Sequence, residues 1–233
     1  MKALIYSEKK VENKIRRNIL AIIGIFVPVV LYILMILYGK KIILDNFLVK
    51  SLTVKVIISK IIIWTLFFIT ILYSIYIEKR KFTEWKDLKY KPLFYLKTIF
   101  FTIIAFAVIG IGTSNLLHYL GFSSQTSEDL SELLKQYPIF IYISSITAGI
   151  VEEFIFRGYM MTRIYSISGN KLGAVLMSSV IFSAAHYSYG TMFMLIQPFI
   201  FGSIFAMLYF KYRNIKVLIM IHILWDVIIQ YLY

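Results

Sequence analysis

The sequence has no cysteine among its 233 residues. That excludes disulfides, thiolate metal ligands and a cysteine nucleophile. It is also poor in charge: charged residues are 16% of the chain and hydrophobic residues 60%. Soluble domains run near 45–50% apolar and about 25% charged. A soluble chain of this length has too little interior to hide so much apolar side chain, so lipid must be the solvent for most of it. Acids are scarcer still, 12 Asp and Glu against 25 Lys and Arg. There is no His-Glu-x-x-His and no Gly-x-Ser-x-Gly, so the common zinc-helix and serine-elbow designs are missing.

What is present is a series of apolar runs. A spanning helix needs about 20 mostly apolar residues, and seven stretches qualify: 19–38, 61–77, 98–117, 138–156, 172–189, 193–210 and 215–232. The second can begin near Ser51 if Lys55 and Lys60 extend along its surface. The first has no small-residue cleavage site after it, so it reads as a span and not a signal peptide. The fold expected is all-α and polytopic, with about seven transmembrane helices in a cell membrane. Residues 1–137 form an N-terminal tail with three spans, and 138–233 a core of four.

Charge sets the orientation. With the N-terminus inside, six basic residues (Lys40, Lys41, Lys50, Lys55, Lys60 and Lys135) fall on outer segments, and the other nineteen, including Arg157 and Arg163, on inner ones. Excess Lys and Arg on short cytoplasmic segments fixes topology, so the chain reads N-in, C-out. The +13 net charge then reflects topology and contact with anionic lipid. It does not mark nucleic-acid binding, because no basic stripe is interleaved with exposed aromatics.

Ionisable groups at membrane depth are costly and mark function by default. Glu8, Glu12, Asp45, Glu78, Glu84, Asp87, Glu128, Asp129 and Glu132 fall in tails or loops, leaving Glu152, Glu153 and Asp226 inside spans, with His186 and His222; His118 sits at a span end. Adjacent glutamates stand ~100° apart on a helix. Arg157, four residues after Glu153, can neutralise it, which leaves Glu152 without a local partner and suited to act as a general base. Glu152 lies 16 residues before Ser168 and His186 lies 18 after it. If both helices run continuously to a turn at Ser168-Gly169-Asn170, the two residues differ by ~3 Å in depth. Ser183, Ala184 and Ala185 permit close approach. His222 and Asp226, four apart, share a helix face. Together these groups can hold a metal ion through imidazole and carboxylate, or a water by hydrogen bonds alone.

Glu152-Glu153-x-x-x-Arg157, Phe182-x-x-x-His186 and His222-x-x-x-Asp226 occur in this order on separate spans. The set resembles the CPBP family of intramembrane proteases, which includes the eukaryotic CAAX prenyl endopeptidase and bacterial Abi or bacteriocin-immunity proteins. The resemblance covers roughly Ile139 to Tyr233. It implies an intramembrane metalloendopeptidase in which Glu152 activates water and His186, His222 and Asp226 complete the site, with Glu153 and Arg157 in support. It also implies a divalent metal, zinc first, on His186, His222 and Glu152, or else a metal-free water activated by glutamate. The partners expected are a peptide or protein substrate and membrane lipid. Two other classes of function are weighed: a non-enzymatic immunity or scaffold protein that binds a bacteriocin-like peptide, and a proton-coupled transporter. The chain lacks the repeated halves and paired broken helices that mark transporters.

Overall fold

The computed structural model describes residues 2–34, 51–123, 128–186 and 191–232. These form eight helices: α1 Lys2–Leu34, α2 Leu52–Ile77, α3 Pro92–Tyr119, α4 Glu128–Gln136, α5 Ile139–Ser168, α6 Lys171–Ala185, α7 Phe193–Tyr212 and α8 Ile215–Leu232. No strand occurs among the described residues. Five helices, α2, α3, α5, α7 and α8, are long and apolar enough to cross a membrane. The chain is an all-α, multi-pass membrane protein. The expected first span lies in α1 as far as Leu34; its remainder, with Lys40, Lys41, Asp45 and Lys50, lies outside the described residues. The stretch at 172–189 appears as α6, whose 15 residues reach ~22 Å, short of the ~30 Å hydrocarbon core.

Local chemistry sets the boundaries. Pro92 opens α3, where its missing N–H costs nothing. Gly169, at φ 68°, ends α5, and Asn170 Oδ1 accepts from Gly173 N at 3.0 Å to start α6. The glycine takes the left-handed cap that other residues resist, so α5 and α6 form a tight hairpin. Asn214 Oδ1 and Asp87 Oδ1 accept from the Val217 and Ile215 amides, both at 3.0 Å, and cap α8.

α5 is the central helix. Val151, Tyr159, Met160 and Met161 pack with Ala174 and Val175 of α6, Phe205 and Tyr209 of α7, and Val217, Leu218 and Ile221 of α8. α1 joins through Tyr73 Oη, which donates to the Leu20 carbonyl at 2.8 Å. The outer faces are apolar: Leu96, Phe101, Val108 and Ile111 of α3 are all more than 60% exposed, as a lipid-facing helix requires.

Two sequence readings need correction. Arg157 and Arg163 do not lie on a loop as topogenic charges. α5 continues to Ser168, and they are 1% and 0% exposed. Nor is Glu78 a loop acid; it is buried at the end of α2 and accepts from Arg163 Nη2 at 2.8 Å and Tyr159 Oη at 3.0 Å. Arg163 also donates to Ser74 Oγ and to the carbonyls of Lys81 and Phe82. The strap at 78–91 thereby seats on the bundle, with Phe82 stacked on Tyr159 and Trp85 packed against Tyr165, Tyr209 and Phe210. A basic residue reads as a span end from hydropathy alone; here a strap from elsewhere in the chain supplies its partner.

Candidate active site

α5 carries a π-helical segment over Glu153–Met161. Such widened turns arise from i→i+5 bonding and recur at functional sites. The segment begins directly after Glu152.

Glu153 is fully buried, and its Oε1 takes Arg157 Nη1 at 2.9 Å. The same oxygen takes His222 Nδ1 at 2.8 Å from α8. Arg157 donates further to the Gly202 carbonyl of α7 at 3.2 Å and lies over the Phe182 ring at 4.3 Å. Glu153 and Arg157 therefore tie α5, α7 and α8 into one unit. The pairing of Arg157 with Glu153 is the one spacing suggested; the hydrogen bond from His222 to Glu153, and not to Glu152, was not visible in the sequence.

With Nδ1 engaged, His222 presents Nε2 to two further carboxylates, 3.8 Å from Glu152 Oε2 and 3.7 Å from Asp226 Oδ1. Both distances exceed a hydrogen bond. Glu152 Oε2 is buried without a hydrogen-bond partner, while the Glu152 side chain as a whole keeps 20% exposure. Phe205 stacks on the His222 ring, with centroids 5.3 Å apart. Two glycines permit the approach. A Cβ on Gly149 would stand 2.5 Å from Ile223 Cγ1 of α8, and one on Gly202 would stand 2.9 Å from Phe182 Cδ1.

His186 ends α6 and is half-buried. Its Nδ1 donates to the Phe182 carbonyl at 2.9 Å and its ring packs on the Phe182 ring at 4.8 Å. His186 thus meets the site through Phe182, whose ring centroid lies 6.4 Å from that of His222. Among the described residues, no three His, Asp or Glu side chains are grouped so as to hold a metal ion. His118 is exposed and packs on Phe193 at 4.9 Å.

Residues 134–228 match the family model described as type II CAAX prenyl endopeptidase Rce1-like. This stretch, less than half of the chain, is similar to that family. It spans α5 to α8 and contains each motif residue from Glu152 to Asp226. The chain is also 32% identical over 108 residues to the membrane-embedded CAAX protease MroQ of Staphylococcus aureus (strain USA300). That match covers 43% of this chain and 42% of MroQ, so the chain matches less than half of its curated relative. No solved structure matches.

Proposed function

We propose that the protein is an intramembrane endopeptidase acting on a peptide or protein substrate. The observation that carries this reading is the placement of Glu152: a partly accessible carboxylate with one unpartnered oxygen, beside His222 Nε2 and Asp226. A water held between Glu152 Oε2 and His222 Nε2 would supply the hydrogen bond that Oε2 lacks.

Glu152 takes a proton from that water, and the resulting hydroxide attacks the scissile carbonyl carbon. His222, doubly protonated beside the carboxylates of Glu153 and Asp226, donates from Nε2 to the developing oxyanion. The tetrahedral intermediate collapses with cleavage of the C–N bond. Glu152 returns its proton to the leaving amine. Glu153 and Arg157 keep the imidazole oriented, as carboxylate partners do for working histidines. His186, held by Phe182, lies on the substrate side.

The test is cleavage of apolar peptides by the full chain in liposomes, read by mass spectrometry. Glu152→Gln should lower kcat by ~10²–10⁴ while the protein still folds. Wild-type rates in that variant would end the proposal. So would binding of peptide with no cleavage by the wild-type chain, which would mark a binding or immunity protein instead.

A further inference from the structure

The strap at 78–91 divides its charges between two directions. Its acids are spent on the protein itself. Glu78 holds Arg163 at 2.8 Å, Glu84 pairs with Arg80, and Asp87 Oδ1 accepts from the Ile215 amide at 3.0 Å. Its lysines face outward: Lys79, Lys81, Lys86, Lys89 and Lys91 are exposed, and none is in an ion pair among the described residues. Lys211, Arg213 and Lys216, also exposed, flank the turn between α7 and α8. The strap is bonded to that turn, with Leu88 N donating to the Arg213 carbonyl at 2.9 Å and Tyr90 Oη to the Tyr212 carbonyl at 3.0 Å. The two segments therefore make one basic face.

That face also presents apolar side chains. Leu88, between Lys86 and Lys89, is 49% exposed. Its backbone is held at both ends, since its carbonyl also accepts from Asn214 Nδ2 at 2.7 Å, so the leucine is fixed in its outward position. Leu93, 58% exposed, follows in the first turn of α3. α2 ends at Ile77 and α3 begins at Pro92, and both are long and apolar enough to cross a membrane. The strap between them lies at one bilayer surface, at the level of the headgroups. Lysines around outward leucines at that level match a layer of phosphates above acyl chains: the ammonium groups meet the phosphates and the leucines the first methylenes. An acidic soluble protein would match the lysines and leave the leucines without a counterpart. We propose that the strap, with the α7–α8 turn, is a binding surface for the headgroups of anionic phospholipids. Net charge alone spreads lipid contact over every basic segment; this face concentrates it at one place. The inference goes beyond the hydrolytic reading and does not rest on it.

The absence of cysteine makes the test direct, because Leu88→Cys gives the full chain a single thiol for a fluorescent label. The labelled chain is reconstituted in phosphatidylcholine with rising fractions of brominated phosphatidylglycerol or brominated phosphatidylcholine, and quenching reports which lipid lies beside the strap. Phosphatidylglycerol should be preferred about tenfold, and the preference should fade at ~1 M salt, where the Debye length is ~3 Å. Replacing Lys86, Lys89 and Lys91 together with Gln should bring it below about twofold. Replacing Lys10, Lys14 and Arg16, exposed on α1, removes the same charge elsewhere and should leave it unchanged. If Leu88→Cys does not fold, Leu93→Cys carries the label. Equal quenching by the two lipids would overturn the inference, the more so if polyglutamate bound the wild type and not the strap variant, which would assign the face to an acidic protein. Equal effects of the two triple replacements would reduce it to net charge and overturn it too. So would loss of the preference to an excess of soluble glycerol phosphate, which would mark a site for small phosphates. None of these readouts needs a substrate, so a chain that cleaves nothing would sink the hydrolytic reading and leave this inference standing.

Discussion

Glu153 and His222 meet across α5 and α8 at 2.8 Å, through the same Glu153 oxygen that Arg157 holds at 2.9 Å. Adjacent glutamates thus have different roles in the proposed site: Glu153 orients the imidazole and Glu152 reacts. Their variants should separate. Glu153→Gln leaves the Arg157 guanidinium buried without a charge partner, a loss of ~3–5 kcal/mol when one member of a buried pair is removed, and should lower kcat by ~10–100-fold. Glu152→Gln, partly exposed and unpaired at Oε2, should melt close to wild type while losing far more activity. Paired melting curves and cleavage rates check this; equal destabilisation by the two would contradict the division of roles.

The site also depends on how closely α5 and α8 approach. At Gly149 an added methyl would stand 2.5 Å from Ile223 Cγ1 and 3.2 Å from the Ile219 carbonyl oxygen of α8. The Ile223 side chain can rotate away; the backbone oxygen cannot. Gly149→Ala should therefore push α8 outward and move His222 and Asp226 away from Glu152. The expected result is a loss of activity of ~10²-fold, as for small misplacements of reacting groups, with a destabilisation of ~1–3 kcal/mol. Activity retained at the wild-type level would mean that helix spacing does not set the site.

Much of this was legible in the sequence, for a physical reason. Lipid forbids scattered charge, so the few ionisable residues in apolar runs identified α5, α6 and α8, and i,i+4 spacing paired Glu153 with Arg157 and placed Asp226 on the face of His222. What stayed hidden depends on contacts distant in the chain. Spacing within one helix cannot show that His222 bonds Glu153 and not Glu152, because that bond joins two helices distant in the chain. Hydropathy also ended the fourth span at Phe156, since Arg157 and Arg163 resemble a membrane boundary until Glu153 and Glu78 are found beside them.

The Glu78–Arg163 pair yields a second stability prediction, well apart from the chemistry. Arg163 is 0% exposed and makes its contacts with α2 and the strap at 78–91. Arg163→Met should cost ~3–5 kcal/mol by stranding the Glu78 carboxylate. Arg163→Met combined with Glu78→Gln should recover part of that loss, because no buried charge is then left alone. Proteolysis should respond as well: in Arg163→Met the strap, released from its anchor, should be cut at Lys79, Arg80 or Lys81 by trypsin under conditions that leave the wild type intact. Unchanged melting and unchanged cleavage would show that the pair does not hold the strap.

Metal content separates the two ways in which water can be activated. His222 and His186 each commit Nδ1, to Glu153 and to the Phe182 carbonyl. That arrangement orients Nε2 equally well toward a metal or toward water. The proposed mechanism holds the water by hydrogen bonds alone: His222 Nε2 has two carboxylates within 4 Å, and His186 packs on the Phe182 ring. The expected result is therefore well under one zinc per chain by elemental analysis of protein purified without added metal, and cleavage that persists in a strong chelator. Under the same mechanism His186→Ala should weaken substrate binding more than turnover, since His186 then contacts substrate and not the water. One zinc per chain, lost together with activity in both His186→Ala and the chelator, would overturn the metal-free mechanism and require His186 to swing inward and join His222 and Glu152 as a ligand.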